Sequence, residues 1–357
     1  MSRGTTARID TGALRRNLRR VRELAPGSRV VCVVKADAYG HGMRHVCRAL
    51  DGADLFAVAT VGEARMLRAE GWSGRLLLLE GFSNLEELDR ARRLRAELVL
   101  HEPTQLEMLA QRRGKVDGPF WIKLNTGMNR LGFPAQAARA VRDRLAELGS
   151  GEDPVWMSHF ACADEPENPM TGQQIERFDQ AVRQMPGAQS LANSAGVLNF
   201  PESHRDYVRP GIMLYGISPC AGVPAPEIGL EPAMSLECEL IAINACRRGD
   251  AVGYGARWRC PEDLRIGVAA IGYGDGYPRH LRSGAPVVLN GRRASLAGRV
   301  SMDMITLDLR GHDDARVGDT VRLWGPGLPV EELAPWADAV PYEFVCGVTR
   351  RVRRREA

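Results

Sequence analysis

The sequence predicts an N-terminal (β/α)8 barrel of the TIM type followed by a mostly antiparallel C-terminal β domain. From about residue 10 to residue 220, continuous apolar runs alternate with amphipathic stretches, as expected of parallel strands that are covered on both faces. Beyond Pro219 the runs become short and are divided by Gly, Asn and Asp, which is typical of antiparallel strands. The 357 residues are enough for two domains. We expect the barrel to span residues 10–225 and the β domain residues 226–357.

Eight apolar runs are the predicted barrel strands, at residues 30–34, 55–59, 76–79, 98–100, 120–124, 155–160, 190–192 and 212–215. Between them lie amphipathic segments, the first with apolar residues at 14, 18, 21 and 24. Pro103 suits the first turn of a helix, and Thr171 with Gln174 predicts a capping box at the start of another. A doubly wound sheet is the alternative, but the turn after the first strand lacks the G-x-G-x-x-G motif.

In the second half, the predicted strands are residues 236–243, 266–271, 286–289 and 304–309. Asn290-Gly291 predicts a tight hairpin turn, because these residues tolerate the positive φ angles that such a turn needs. The arginine cluster at 350–355 is interpreted as a solvated tail.

Composition excludes several classes of protein. The net charge is +4 and basic residues are spread along the chain, so nucleic-acid binding has no support. No apolar run approaches the ~18 residues that would indicate a membrane span, and the N-terminus lacks the apolar segment of a secretory signal, so we expect a cytoplasmic protein. The eight cysteines and seven histidines show no metal-ligand spacing, and we expect no metal site.

Lysine is rare in this chain and therefore informative. Of 48 Lys and Arg residues only three are lysines: Lys35, Lys115 and Lys123. Arginine is always protonated, whereas a buried lysine can lose its proton and form a Schiff base. Lys35 follows the first predicted strand, at the rim where barrel active sites form, although a surface lysine without a catalytic role fits the pattern equally well. Lys115 is expected on a surface loop.

Nine segments in order resemble the motifs of the alanine racemase family. They are VKADAYGHG at 34–42, KLNTGMNRLG at 123–132, HFA at 159–161, ANSA at 192–195, VRPGI at 208–212, GYG at 253–255, IGYGDG at 271–276, SMD at 301–303 and YE at 342–343. Each is weak evidence alone, but together they extend through both predicted domains. The resemblance implies a barrel followed by a β domain that the N-terminal strand, within residues 1–9, joins.

The resemblance implies a pyridoxal-5'-phosphate enzyme that interconverts L-alanine and D-alanine by a two-base mechanism on the cofactor–substrate aldimine. Lys35 is implied to hold the cofactor as an internal aldimine and to act as base on one face of the substrate Cα. Tyr254 is implied to act on the opposite face, from the other subunit of a homodimer with shared active sites. Because a free tyrosine has a pKa near ~10, its site must favour the phenolate.

Further roles follow from the same resemblance. Arg209 is implied to donate a hydrogen bond to the pyridine nitrogen, and His159 is a cofactor neighbour, although a satisfied core histidine is the alternative. The residues implied to bind the phosphate are Tyr39, Ser194, Gly211, Ile212 and Tyr342. Of these, Ser194, Gly211 and Ile212 belong to the loops after strands seven and eight.

The substrate carboxylate is implied to contact Arg130 and the backbone of Met302, the latter from the partner. Tyr273 and Asp303 are implied to lie at the entrance or behind the site, and ordinary packing is the alternative for Met302 and Tyr273. Lys123 matches a lysine that carries a carbamate in several family members, against the alternative of an ordinary strand-end lysine.

Two related classes fit the sequence less well. A non-catalytic pyridoxal-phosphate carrier would lack the β domain and any equivalent of Tyr254. An amino-acid decarboxylase of the same fold type would need a longer chain and a Gly-Gly-Gly phosphate loop. The sequence does not distinguish a biosynthetic from a catabolic racemase.

Overall fold

The computed structural model describes residues 4–112 and 120–357. After strand β1 (Thr6–Ile9), which belongs to the second sheet, the chain builds a barrel of parallel strands. These are β2 (Arg29–Val33), β3 (Leu55–Val58), β4 (Leu76–Leu78), β5 (Glu97–Leu100), β6 (Phe120–Asn125), β8 (Val155–Met157), β9 (Gln189–Ser190) and β10 (Tyr207–Val208), with β7 (Phe133–Pro134) paired to β6.

The barrel closes because β10 pairs with β2 and β5 pairs with β6, so that eight strands of the described chain form a ring. Every strand is buried over most of its length, which explains why the sequence shows continuous rather than alternating apolar runs. The predicted fold class is therefore confirmed for this half of the chain.

Helices cover the barrel between its strands: Thr11–Leu24, Met43–Ala49, Val61–Ala69, Leu85–Arg93, Pro103–Ala110, Ala138–Glu147, Met170–Val182 and Ser194–Asn199. The first is capped by Asp10 and buries Leu14, Leu18 and Val21, as its spacing predicts. Pro103 stands in the first turn of its helix, also as predicted. No helix among the described residues is long and apolar enough to cross a membrane. Lys115 lies outside the described residues.

Two predictions about the barrel were wrong. The run Ile212–Tyr215 is a buried 3-10 helix, and the eighth strand is Tyr207–Val208, since a short apolar run does not distinguish a strand from a buried helical turn. Thr171 and Gln174 form no capping box, because Gln174 is buried and its amide instead joins strand ends: it accepts from the Ala161 N–H and donates to the carbonyl of His159.

The second sheet contains the remaining long strands in the order β14-β17-β16-β15-β18-β11-β1-β19. Its members after β1 are β11 (Met234–Cys246), β14 (Leu264–Ala269), β15 (Pro286–Leu289), β16 (Arg292–Leu296), β17 (Ile305–Asp308), β18 (Thr320–Trp324) and β19 (Arg353–Glu356). A separate pair consists of β12 (Ala251–Val252) and β13 (Trp258–Arg259). Except for β1 with β19, the pairings are antiparallel, as predicted.

The Asn-Gly hairpin forms as the sequence predicts. Asn290 and Gly291 have φ angles of 47° and 81°, and Leu289 pairs with Arg292 across a two-residue turn. Two short helices, Val330–Leu333 and Pro341–Gly347, follow β18 and bring the chain back to the barrel rim.

The C-terminal arginines are not a tail, although all of them except Arg354 are exposed, as expected of a solvated segment. Arg353–Glu356 is strand β19, paired in parallel with β1. The half-buried Arg354 donates to the carbonyl of Gly40 at 2.8 Å and to that of Val348 at 2.8 Å. The arginine side chain therefore connects the end of the chain to the loop that follows Lys35, and backbone carbonyls rather than water satisfy its charge.

Candidate active site

Lys35 lies at the carboxyl end of the first barrel strand and begins a left-handed turn. Residues 36–39 all have φ angles between 51° and 55°. A non-glycine residue in this region costs about 1–2 kcal/mol, so four in succession are kept only where surrounding contacts hold them. Lys35 itself is half-buried, and its backbone connects β2 to this turn.

Contacts from three elements hold the turn. The Ala36 N–H donates to Glu63 at 2.7 Å, and Asp37 accepts from the Met43 N–H at 2.8 Å. Gly40 ends the turn with a φ of 77°, and a Cβ there would lie 1.8 Å from the carbonyl oxygen of Val345. The turn is thus packed directly against the helix Pro341–Gly347.

The turn places Tyr39 among aromatic rings at the rim. Its ring stacks on Tyr215, with ring centroids 4.9 Å apart, and lies 6.1 Å from the ring of Tyr342. Burial raises the pKa of Tyr39, so its hydroxyl stays protonated and able to donate a hydrogen bond. A Cβ on Gly211 would lie 2.5 Å from that hydroxyl oxygen, which explains the glycine.

The loops after the seventh and eighth barrel strands are joined by Ser194. Its hydroxyl oxygen accepts from the backbone N–H of Gly211 at 2.9 Å and of Met213 at 3.4 Å. Ile212 lies between these two residues and is fully buried. The Ser194 hydroxyl, the Tyr39 phenol and backbone N–H groups therefore meet at one part of the barrel rim.

Arg209 is a buried cation with neutral partners. Only 4% of its surface is exposed. It donates to the hydroxyl of Ser190 at 2.6 Å and to the carbonyls of Ser158 at 2.5 Å and Leu191 at 3.1 Å, and it contacts Nδ1 of His159 at 3.3 Å. Burial lowers the pKa of Arg209 to about 10, which leaves the guanidinium charged at neutral pH.

Arg209 acts on the two titratable groups nearest to it. Burial, reinforced by the charge of Arg209, holds the pKa of His159 well below its ordinary value, so the imidazole is neutral at pH 7. Lys123, 8% exposed on β6, has its pKa lowered to about 8 by burial and by the charges of Arg209, Arg130 and Lys35. Arg209, Arg130 and Lys35 therefore make this part of the barrel rim, the floor of the cavity described next, electropositive.

One cavity of about 1460 Å³ opens over these residues. All eight predicted cofactor residues line it, together with Arg130: Lys35, Tyr39, His159, Ser194, Arg209, Gly211, Ile212 and Tyr342. Lys123 lies behind this lining rather than in it. Within the described residues no cluster of His, Cys, Asp or Glu could hold a metal ion.

The remaining predicted residues lie elsewhere, on the β domain. Tyr254 is 71% exposed, Met302 53% and Tyr273 38%. They share one face: the N–H of Tyr273 donates to the carbonyl of Ser301, and glycines 253 and 255 beside Tyr254 approach Arg299. Asp303 is paired with Arg351 at 2.7 Å on the same face. None of these four lines the cavity of its own chain.

Residues that sequence reasoning missed support the site from behind. Ser190 orients Arg209 through its hydroxyl and Ser158 through its backbone carbonyl, and both lie in runs that the sequence predicted only as strands. The left-handed turn at 36–39 gave no signal, since Ala-Asp-Ala-Tyr contains no glycine. Glu331, which lines the cavity and accepts from the Ser218 N–H at 3.0 Å, was also missed.

Comparison with known proteins identifies the family. The model of the alanine racemase N-terminal domain matches residues 9–219, and that of the C-terminal domain matches residues 233–356. The chain belongs to the alanine racemase family. An alanine racemase of Nitrosococcus oceani is 51% identical over 348 residues, which are 97% of each protein. As an alanine racemase, the chain is an enzyme that interconverts L-alanine and D-alanine.

Solved structures of alanine racemases superpose closely on this chain. The biosynthetic alanine racemase of Pseudomonas aeruginosa has a TM-score of 0.96 at 46% identity, with 99% of both chains covered. The alanine racemase of Bartonella henselae, a structure with covalently bound pyridoxal phosphate, has a TM-score of 0.90 at 27% identity and 99% coverage of both chains. The barrel and the antiparallel sheet are thus the family's fold.

The strain in the Lys35 turn is testable by one substitution. Ala36→Gly removes the Cβ that the left-handed backbone disfavours, so we expect the free energy of unfolding to rise by about 1 kcal/mol. The same change at Ala140, exposed in the right-handed helix Ala138–Glu147, should lower it by about 1 kcal/mol. Chemical denaturation measures both. Two changes of the same sign would contradict the strained turn.

Proposed function

We propose that Lys35 of one subunit and Tyr254 of another racemise alanine on opposite faces of pyridoxal phosphate. This proposal rests on the separation of the two predicted acid–base groups. Lys35 lines the cavity, together with a buried arginine and with phenol and hydroxyl donors, whereas Tyr254 is exposed on the β domain. Inversion at Cα requires that the proton leave one face and return to the other. A single base on one side of the substrate does not accomplish this.

The residues present fit the cofactor. An electropositive cavity floor suits an anionic ligand, and Gly211, with no room for a Cβ, leaves its backbone close to the Tyr39 hydroxyl. We assign the phosphate to Tyr39, Ser194, Gly211, Ile212 and Tyr342, and the covalent bond to Nζ of Lys35. The covalent cofactor in the Bartonella henselae structure supports this assignment.

When bound, pyridoxal phosphate withdraws electron density from the substrate Cα and makes its proton removable. Arg209 faces the ring nitrogen in this proposal. Because a guanidinium donates a hydrogen bond without giving up its proton, Arg209 would leave that nitrogen unprotonated and moderate the electron withdrawal. His159, neutral at pH 7, would neighbour the cofactor without adding a charge.

The chain's own groups then move the proton. Nζ of Lys35 takes or returns it on one face, and the phenol oxygen of Tyr254 does so on the other. Arg130 and the backbone N–H of Met302 bind the substrate carboxylate, which fixes the orientation of Cα between the two groups. Tyr273 and Asp303 lie beside Met302 and border the entrance through which the substrate reaches the active site.

A second copy of the chain completes the site. Tyr254, Tyr273 and Met302 do not line the cavity of their own chain, yet they form one exposed face. In a symmetric dimer each such face covers the cavity of the other subunit, so both sites are completed at once. We therefore propose a homodimer with shared active sites.

Removal of the Tyr254 hydroxyl tests the two-base assignment. Tyr254→Phe should lower racemisation in both directions about 100-fold or more. Exchange of the α-proton with D2O should persist for one enantiomer, because Lys35 still serves one face. Proton NMR measures exchange and a coupled assay for D-alanine measures racemisation.

The matched control is Tyr277→Phe. Tyr277 is buried on the β domain, and its hydroxyl has no hydrogen-bond partner in the described structure, so its removal should leave activity unchanged. Racemisation undiminished in Tyr254→Phe, or loss of exchange for both enantiomers, would overturn the assignment.

We propose that Lys123 carries a carbamate. At a pKa of about 8 a large share of its amine is neutral near pH 8, and the neutral nitrogen can add CO2 and release a proton to solvent. The product is an anion among Arg209, Arg130 and Lys35, which relieves the repulsion that lowers the lysine pKa. We propose that this carbamate orients Arg130.

Carbon NMR detects the modification directly. With 13C-bicarbonate at pH 8, the enzyme should show one carbamate signal, which Lys123→Arg removes and Lys115→Arg retains. Acidification well below pH 8 protonates the amine and should abolish the signal. A spectrum without the signal at pH 8, or a signal unaffected by Lys123→Arg, would contradict the carbamate.

A further inference from the structure

Two cysteines stand at the two ends of the loop that carries Tyr254. This loop, residues 247–259 (the Tyr254 loop), leaves β11 directly after Cys246 and reaches Cys260 directly after β13, four residues before β14 begins at Leu264. Residues 253–257 at its tip are exposed. The base of the loop is narrow, since the N–H of Gly249 donates to the carbonyl of Cys260 at 2.8 Å and the N–H of Cys260 donates to that of Asp250 at 2.9 Å.

The two side chains meet beneath the loop. Cys260 belongs to a small apolar cluster with Val252, Ile266 and Ala297, apart from the main core, and Cys246 packs against this cluster from a half-buried position. The Cys246 thiol is close enough to contribute, after burial, to the raised pKa of Cys260. Both are free cysteines. The small cluster is the apolar support of the Tyr254 loop, so a change in it acts on the loop.

We propose that Cys246 and Cys260 form a reversible disulfide, a peroxide-sensitive modification site that controls the position of the Tyr254 loop. The structure favours one order of events. Cys246, which is partly exposed, meets the oxidant first, whereas Cys260 is buried and its thiol pKa is raised by that burial. Cys260 is therefore the resolving residue.

The chemistry balances with hydrogen peroxide as oxidant. The sulfur of Cys246 attacks peroxide, the O–O bond breaks, and a sulfenic acid and one water form. The sulfur of Cys260 then displaces the sulfenic oxygen as a second water, and the S–S bond forms. The two thiols lose two electrons and two protons in all, and peroxide is reduced to two waters. A dithiol such as dithiothreitol reverses the oxidation by thiol–disulfide exchange.

The disulfide should displace Tyr254. The sulfurs of two free thiols in contact lie farther apart than the ~2.05 Å between bonded sulfurs, so bond formation draws the two ends of the loop together. Displacement of an acid–base group by about 1 Å lowers the rate by as much as ~100-fold. This consequence rests on the proposed role of Tyr254, whereas formation of the disulfide does not.

The test treats the full-length, cofactor-loaded enzyme with a small excess of hydrogen peroxide. Free thiols are then alkylated, and a digest made without reductant is analysed by mass spectrometry. We expect a linked Cys246–Cys260 peptide, a kcat lowered about tenfold or more, and recovery with dithiothreitol. Cys246→Ser and Cys260→Ser should each lose less than twofold relative to their own untreated samples.

Cys346→Ser is the matched control, since Cys346 lines the cavity and is the alternative target of peroxide. Relative to its own untreated sample it should keep the full peroxide sensitivity. Absence of the linked peptide overturns the proposal, and so does a linked peptide with unchanged kcat. Because the linkage is scored without activity, a failure of the Tyr254 assignment in Tyr254→Phe remains distinguishable from a failure of the disulfide.

Discussion

The burial of the Arg209 guanidinium at the barrel rim is the interaction on which the rest of the site depends. The charge is held by two carbonyls, a serine hydroxyl and an imidazole nitrogen, all of them neutral. A buried cation without a carboxylate projects its potential onto its neighbours. Together with burial it lowers the pKa values of His159 and Lys123, and its positive charge favours an anionic ligand in the cavity.

The barrel rim contains a strained left-handed backbone turn, and packing contacts from both halves of the chain hold that turn in place. The left-handed turn after Lys35 fits against the helix Pro341–Gly347, and Arg354 on the last strand binds the carbonyl of Gly40. The position of Lys35 therefore depends on the C-terminal residues as well as on the barrel. This coupling explains why the end of the chain forms a strand, although most of its arginine side chains are exposed.

The sequence predicted those strands and turns whose conformation is determined by residues close together in the chain. Continuous apolar runs identified the buried strands, and Asn290-Gly291 identified a hairpin, because its φ angles need those residues. The run Ile212–Tyr215 was misassigned because burial on all sides gives the same signal in a strand and in a helical turn. The conformations of Arg354, Gln174 and the turn at 36–39 depend on hydrogen-bond partners that are not their neighbours in the sequence.

The candidate site divides in the same way. The scarcity of lysine singled out Lys35 and Lys123, and the family motifs supplied the other residues. The resemblance implied that Tyr254 acts from another subunit, and in the structure Tyr254 lies outside the cavity of its own chain. Nothing in the sequence indicated that three cations lower the pKa of Lys123, because that effect follows from the three-dimensional arrangement. The place of Tyr254 makes association between chains the central claim about function.

A mixed dimer tests that claim most directly. Lys35→Ala and Tyr254→Phe chains carrying different affinity tags are refolded or coexpressed, and the hybrid is purified through both tags. If the site is shared, the hybrid has one site with both residues intact, and its racemase activity should be about half that of the wild-type dimer, although each parent dimer is nearly inactive. A hybrid no more active than its parents would show that Lys35 and Tyr254 of the same chain act together, and would contradict the account.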